Sequence, residues 1–210
     1  MGKMDEQIIV VKRLLLFDEA GNDLTFQGTE QDRKAVAALS KRMAEHYRVM
    51  RRGDAEENPQ FKQPIPYAVL KKGDHYFTYR RLGGGGEQRL HGKLSIGVGG
   101  HMNRVESAAD FEQVLKRNLD REMNEELLVQ NAEPAEYRTI GLINDDQTEV
   151  GKVHIGVLVA ISLPDDAEVT VREKDKLEGS WKTLQELSDP SILERMESWS
   201  GFAIKTLQKQ

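Results

Sequence analysis

The hydrophobic and polar positions change rhythm several times along this chain. Residues 8–11 and 14–17 are apolar or β-branched runs around the basic pair Lys12-Arg13, and they predict one strand or a hairpin arm. Ala20-Gly21-Asn22-Asp23 is a turn signal. Thr29 reads as a helix N-cap. Acidic residues follow it, with apolar positions at Val36, Leu39, Met43 and Tyr47, the pattern of an amphipathic helix. Residues 51–66 are charged, carry proline and show no period, so they predict a linker or a wrapping loop. The Arg52-Gly53-Asp54 triplet in this segment matches an adhesion tripeptide, and chance in a charged stretch accounts for it.

After Pro66 the pattern turns to strands. Residues 67–71 and 75–81 flank Lys72-Gly73-Asp74, a hairpin signal. Gly83-Gly84-Gly85-Gly86 predicts a flexible hairpin tip, since the lysine and hydroxyl residue of a phosphate loop do not follow it. Residues 94–98 predict a short strand, 110–129 a long helix, and 137–143, 153–163 and 168–172 three further strands. Residues 191–207 predict a closing helix with Leu193, Met196, Trp199, Phe202, Ala203 and Leu207 on its apolar side. Trp181 and Trp199 read as core or interface residues, and His91 carries no reading. Strands around a central helix, with a helix at the end, define a mixed α/β sandwich.

Composition narrows the function classes. The 210 residues suffice for one domain and an extension, and the 38% hydrophobic content is that of a globular chain. A net charge of −5 with both signs interspersed argues against a broad nucleic-acid surface. The chain has no cysteine, which excludes disulfides, thiolate chemistry and cysteine-ligated zinc. The apolar stretch near the start is broken by Lys12 and Arg13 and preceded by Asp5 and Glu6, unlike a signal peptide. No run approaches the roughly 20 apolar residues of a membrane span. The expected location is the cytoplasm, with no membrane partner.

The chemistry concentrates in Arg121-Glu122-Met123-Asn124-Glu125-Glu126. Each helical residue advances about 100°, so Glu122, Glu125 and Glu126 share one face. Three carboxylates there repel one another unless a cation joins them, and hard oxygen donors suit magnesium or manganese. Upstream, the strand at 94–98 runs into Gly99-Gly100, where backbone can approach a ligand closely.

The two segments together resemble the Nudix box: glycine, five residues, glutamate, seven residues, then Arg-Glu-apolar-any-Glu-Glu-any-Gly-apolar. Gly100 and Glu106 match the first part; Arg121, Glu122, Met123, Glu125, Glu126 and Val129 match the second. The resemblance implies a Nudix-type α/β/α sandwich with a mixed sheet over residues 63–210. Residues 1–62 would be an N-terminal α+β extension whose apolar helix stripe packs on the core or forms a homodimer interface. It further implies a pyrophosphohydrolase acting on a small nucleoside-diphosphate-linked or similar organic diphosphate. Glu122, Glu125 and Glu126 would hold magnesium or manganese, with the Gly99 carbonyl as a further ligand and Arg121 in the catalytic constellation. Arg80 and Arg81 are candidate phosphate clamps and His101 a candidate substrate contact. Glu173 and Glu178 are candidates for an outer base, and His154 reads as a packed histidine.

Two departures mark this chain. Fourteen residues, not seven, separate Glu106 from Arg121, an excess close to two helical turns with a phase error of about 20°. A straight helical extension would carry Glu106 roughly 10 Å farther from Arg121, whereas looping out of residues 107–112 would preserve their contact. The step Phe111, Leu115, Leu119, Met123, Leu127 drifts about 40° each time, which predicts a bend or break before Leu119. Leu128 stands where the box has its last glycine, so the exit at residues 130–134 must differ. These departures raise a second reading, a Nudix-fold binding or regulatory module without catalysis. A third, an isomerase like isopentenyl-diphosphate isomerase, ranks last because that enzyme uses a cysteine.

Overall fold

The computed structural model of the chain describes residues 2–82 and 92–209; the four-glycine run and His91 lie outside the described residues. In chain order the strands are β1 (Gln7–Lys12), β2 (Asp18–Glu19), β3 (Asn22–Asp23), β4 (Gly28–Glu30), β5 (Tyr47–Arg51), β6 (Phe61–Lys72) and β7 (His75–Arg81). They continue with β8 (Leu94–Ser95), β9 (Gly97–Gly99), β10 (Leu127–Gln130), β11 (Glu136–Asn144), β12 (His154–Ser162), β13 (Glu168–Val171) and β14 (Leu177–Thr183). The helices are α1 (Arg13–Phe17), α2 (Arg33–His46), α3 (Arg52–Glu56), α4 (Phe111–Glu126), α5 (Glu149–Val153), α6 (Leu184–Leu187), α7 (Pro190–Leu193) and α8 (Ser198–Leu207). This is the α/β class that the pattern predicts. No helix among the described residues is long and apolar enough to cross a membrane.

The chain divides into two compact units, each assembled from three separate segments. Unit 1 comprises Met1–Pro66, Gly100–Leu119 and Gly141–Val157; unit 2 comprises Tyr67–Gly99, Asp120–Ile140 and Leu158–Gln210.

In unit 1, β1 pairs antiparallel with β5 (Ile8↔Met50, Val10↔Arg48) and with the start of β6 (Val11↔Lys62). Its apolar run is covered on both faces, as a continuous rather than alternating hydrophobic strand requires. Ile8 and Val10 pack with Ala55 and Phe61, and Ile9 packs with Met102 and Val114. The second apolar run is not part of this strand. Residues 13–17 form α1, which buries Leu16 and Phe17 beside α2 and leaves Leu14 in solvent. The N-cap of α2 is Asp32, not Thr29: its carboxylate accepts from the Lys34 and Ala35 amides, while Thr29 pairs with Ile143 in a strand. Tyr47 begins β5 instead of ending α2. The predicted linker at 51–66 holds α3 and the first half of β6, where Lys62 and Gln63 are fully buried. Buried polar residues at these positions, Lys62 held by Asp146 and two carbonyls, leave no apolar period to read.

In unit 2, the hairpin around Gly73 is present as predicted, with Gly73 at φ +57° where a side chain is strained. β6 also pairs with β9 (Tyr67↔Gly99, Val69↔Gly97), and β7 pairs with β8 and, over its whole length, with β14. β14 was not anticipated: Leu177, Gly179 and Trp181 alternate with Glu178, Ser180 and Lys182, but the glycine and the short run make that strand signal weak. Trp181 on this strand meets Phe77 edge-on at 5.4 Å, and Trp199 meets Tyr67 likewise at 5.8 Å. The predicted closing helix is split into α7 and α8. Between them Met196 leaves helical geometry and bridges to Leu94, and the Glu197 amide donates to the Leu94 carbonyl at 2.9 Å.

The helix α4 runs unbroken through Leu119, so the chain does not break there. Val114 and Asn118, rather than Phe111 and Leu115, carry its buried face early on. Phe111 and Leu115 are only half-buried, and Phe111 lies against Tyr47 at 5.4 Å. Drift of the four-residue step is therefore accommodated at the margin of the core. Residues 101–110 are turns and bends, so the extra residues do not extend the helix back to Glu106. At its other end α4 passes directly into β10, and Leu128 pairs with Thr170. The left-handed residue comes later, at Asn131 (φ 53°), which is the different exit that Leu128 requires.

Candidate active site

The last turns of α4, in unit 2, present Arg121, Glu122, Glu125 and Glu126. One Arg121 guanidinium nitrogen lies 2.8 Å from Glu122 and 3.1 Å from Glu125, so it joins two of the three carboxylates. Burial pushes Glu126 up to about 7; Arg81 opposes this, while Glu122, Glu197 and Glu125 reinforce it. Arg81 in turn donates to Glu197 at 2.8 Å and stands over the Tyr79 ring. Sequence reading missed Glu197. It precedes α8, far along the chain, and only the bridge at Met196 brings it to this arginine.

The two arginines ending β7 part company. Arg81 faces the carboxylates, whereas Arg80 is exposed and donates to exposed Glu178 at 2.7 Å. Glu173 is likewise exposed and accepts from Lys176 at 2.6 Å. Gly99 ends β9 opposite Tyr67.

The donor chemistry of α4 fits a hard divalent ion. It is all carboxylate oxygen, and burial, reinforced by repulsion from the neighbouring glutamates, keeps Glu126 from ionising easily. The geometry is open, with a guanidinium between two members. Magnesium tolerates that, since it keeps several waters and takes only one or two carboxylates.

His101 has different company, in unit 1. Its Nε2 lies 3.3 Å from Glu56 Oε1 and 3.2 Å from His154 Nε2. Among the described residues, Glu56, His101 and His154 form the one group with three possible metal-ligand atoms within 4.8 Å of one another. Glu56 ends α3, where Arg52 approaches it at 3.4 Å. Hydrogen bonding from His101 is the main force holding its carboxyl down at about 2. Burial pushes the His154 imidazole down to about 4. The packed-histidine reading of His154 thus holds for its burial and omits its partner. No spacing in the sequence links these three residues.

Each of the three is fixed by its own segment. Next to His101, Met102 is fully buried and its carbonyl accepts from the Ile9 amide at 2.7 Å. Asn103 exchanges hydrogen bonds with buried Asn118 and donates to Glu6. His154 follows α5, which Thr148 caps by accepting from the Gly151 amide. Gly151 admits no side chain there, because a Cβ would come within 1.9 Å of the Asp145 carbonyl.

The fold is that of a Nudix protein, and the chain belongs to the Nudix family. The crystal structure of Tm1382, a candidate Nudix hydrolase, is similar over 97% of this chain and 99% of that one, with 30% identity and a TM-score of 0.76. The protein YmaB of Bacillus subtilis (strain 168) is 50% identical over 208 residues, which cover 99% of this chain and all of YmaB. A MutT Nudix hydrolase from Burkholderia pseudomallei is similar at a TM-score of 0.47 with 17% identity, over 70% of this chain and 98% of that one. No family model matches the chain.

Proposed function

We propose that the chain is a metal-dependent hydrolase that cleaves a diphosphate linkage in a nucleoside-diphosphate-linked or similar organic diphosphate. One observation carries this reading. The intact Arg121 to Glu126 motif sits on one helix, and the Arg81 guanidinium acts on Glu126, the carboxylate whose ionisation burial disfavours most. Such a site favours a divalent cation and an anionic substrate together.

In this reading Glu122, Glu125 and Glu126 hold magnesium or manganese, with the Gly99 carbonyl available as a further ligand. When bound, the ion neutralises diphosphate oxygens and lowers the pKa of a bound water. Arg81 stabilises charge on the phosphates through its guanidinium. Glu197, held by Arg81 at 2.8 Å, is the carboxylate best supported as acceptor of the water's proton. Glu173 and Glu178 are less well supported, since both are exposed, whereas Glu197 is shielded from solvent and acts electrostatically on Glu126.

A second reading, a Nudix-fold binding module, draws support from Arg121 lying between Glu122 and Glu125. A panel of nucleotides, sugar nucleotides, dinucleotides and isoprenyl diphosphates, with magnesium and with manganese, separates the two. Cleavage of any member, lowered at least about 100-fold by Glu125→Gln, is expected of the hydrolase. Glu125→Gln should also shrink the magnesium-dependent rise in melting temperature, because stabilisation follows affinity for the folded state. No cleavage across the panel, with no magnesium shift in the parent protein, defeats the hydrolase reading.

A further inference from the structure

We propose that Glu56, His101 and His154 form a second metal centre, separate in its ligands from the Nudix carboxylates and selective for a divalent transition ion such as zinc. The spacing supports this first. Donors about 2.0–2.1 Å from one ion sit roughly 2.9 to 3.4 Å apart, from right-angle to tetrahedral arrangements. His101 Nε2 to His154 Nε2 is 3.2 Å, and His101 Nε2 to Glu56 Oε1 is 3.3 Å. Glu56 comes to 4.0 Å from His154 Nε2, beyond that range, so ion binding requires the carboxylate to move closer to His154.

The tautomer supports it independently. His154 Nδ1 lies 2.6 Å from the Val150 carbonyl. A carbonyl only accepts, so Nδ1 carries the proton and Nε2 turns a lone pair toward His101 and Glu56. A backbone acceptor on the far nitrogen is the arrangement that orients metal-binding histidines. In the absence of an ion, the His101 Nε2 position must serve both a carboxylate and an imidazole lone pair. One cation satisfies all three groups at once.

The chemistry of the donors then selects the ion. Two imidazole nitrogens and one carboxylate suit zinc, iron(II), manganese(II) or nickel(II), with zinc favoured by its tolerance of tetrahedral geometry. Magnesium prefers oxygen and an octahedron, and is a poor match. Three protein donors leave a further position for water or another ligand. The ion would also tie α3, the segment after β9 and the start of β12 together, so loading stabilises unit 1.

Zinc binding to the full chain, measured by calorimetry in excess magnesium, tests the proposal, since magnesium occupies carboxylate-only sites. One equivalent of zinc is expected to bind and to raise the melting temperature. Affinity is expected to fall at least about 100-fold in both His154→Gln and Glu56→Gln. Glu125→Gln should leave zinc affinity unchanged, which separates this centre from the Nudix carboxylates. Should His154→Gln fail to fold, the more exposed Glu56→Gln decides alone. Absence of zinc binding in the parent protein overturns the proposal, as does zinc binding that survives Glu56→Gln undiminished.

Discussion

Lys62 Nζ donates to Asp146 Oδ1 at 2.8 Å from a side chain with no exposure to solvent. The same nitrogen donates to the carbonyls of Gly151 at 2.7 Å and His154 at 3.2 Å. Three acceptors match the three donors of an ammonium, which is what a buried lysine needs to keep its charge. Burial nevertheless pushes Lys62 down to about 8. The lysine thereby anchors β6 to the α5–β12 junction, and so to the segment that carries His154.

Replacing this lysine tests the anchor. Lys62→Met removes all three hydrogen bonds and leaves two buried carbonyls short of a donor, while Asp146 keeps Arg13. The expected loss is about 2–4 kcal/mol, seen as a lower urea midpoint. A loss below about 0.5 kcal/mol would show that the anchor contributes nothing net.

Asp146 sets an acid limit to stability. Burial alone would raise its pKa, but hydrogen bonds from Arg13, Lys62 and Asn144 outweigh burial and hold it below 3.8. A carboxyl depressed in the folded state contributes fully above its unfolded pKa, and that contribution is lost as pH falls through the lower folded value. Stability should therefore decline below about pH 4. Asp146→Asn should flatten that limb by on the order of 1–3 kcal/mol and cost stability at neutral pH. Identical acid limbs in the two proteins would refute the assignment.

Arg80 and Arg81 should behave differently although they are neighbours. Arg80 pairs with Glu178 in solvent, and such pairs contribute about 0–1 kcal/mol, so Arg80→Ala should leave stability and turnover nearly unchanged. Arg81→Ala should unbalance Glu126 and Glu197 and lower kcat/KM at least about tenfold. Equal effects of the two substitutions on kcat/KM would remove Arg81 from the proposed mechanism.

The first 62 residues should prove necessary to the fold of unit 1. They supply β1 and β5, and Ile9 covers Met102 and Val114 in the core. A chain beginning at Gln63 also lacks Lys62 and Glu56. It is expected to be poorly soluble or to lose a cooperative melt. A monodisperse truncation that melts with the full chain would make the extension dispensable.

The sequence by itself determined the family and much of the strand pattern. Glu122, Glu125 and Glu126 lie three and four residues apart, and that interval places them on one helix face whatever surrounds them. The Lys72-Gly73-Asp74 turn likewise dictates its hairpin locally, through one residue at positive φ. Leu128 announced an altered helix exit for the same reason. Tertiary structure decided what has no local period. β14 carries only a weak alternation, interrupted by Gly179, and pairing with β7 at seven positions makes it a strand. Residues 14–17 form a helix that buries Leu16 and Phe17 beside α2; a short apolar run does not by itself tell strand from helix, and their three leucines suit a helix. Lys62 could be placed in the interior only after Asp146 and two carbonyls were brought to it from the other side of the chain. Glu197 reached Arg81, and Glu56 reached His101 and His154, by the same means. Contacts between residues distant in sequence depend on long-range packing, and neither helical nor strand spacing encodes them.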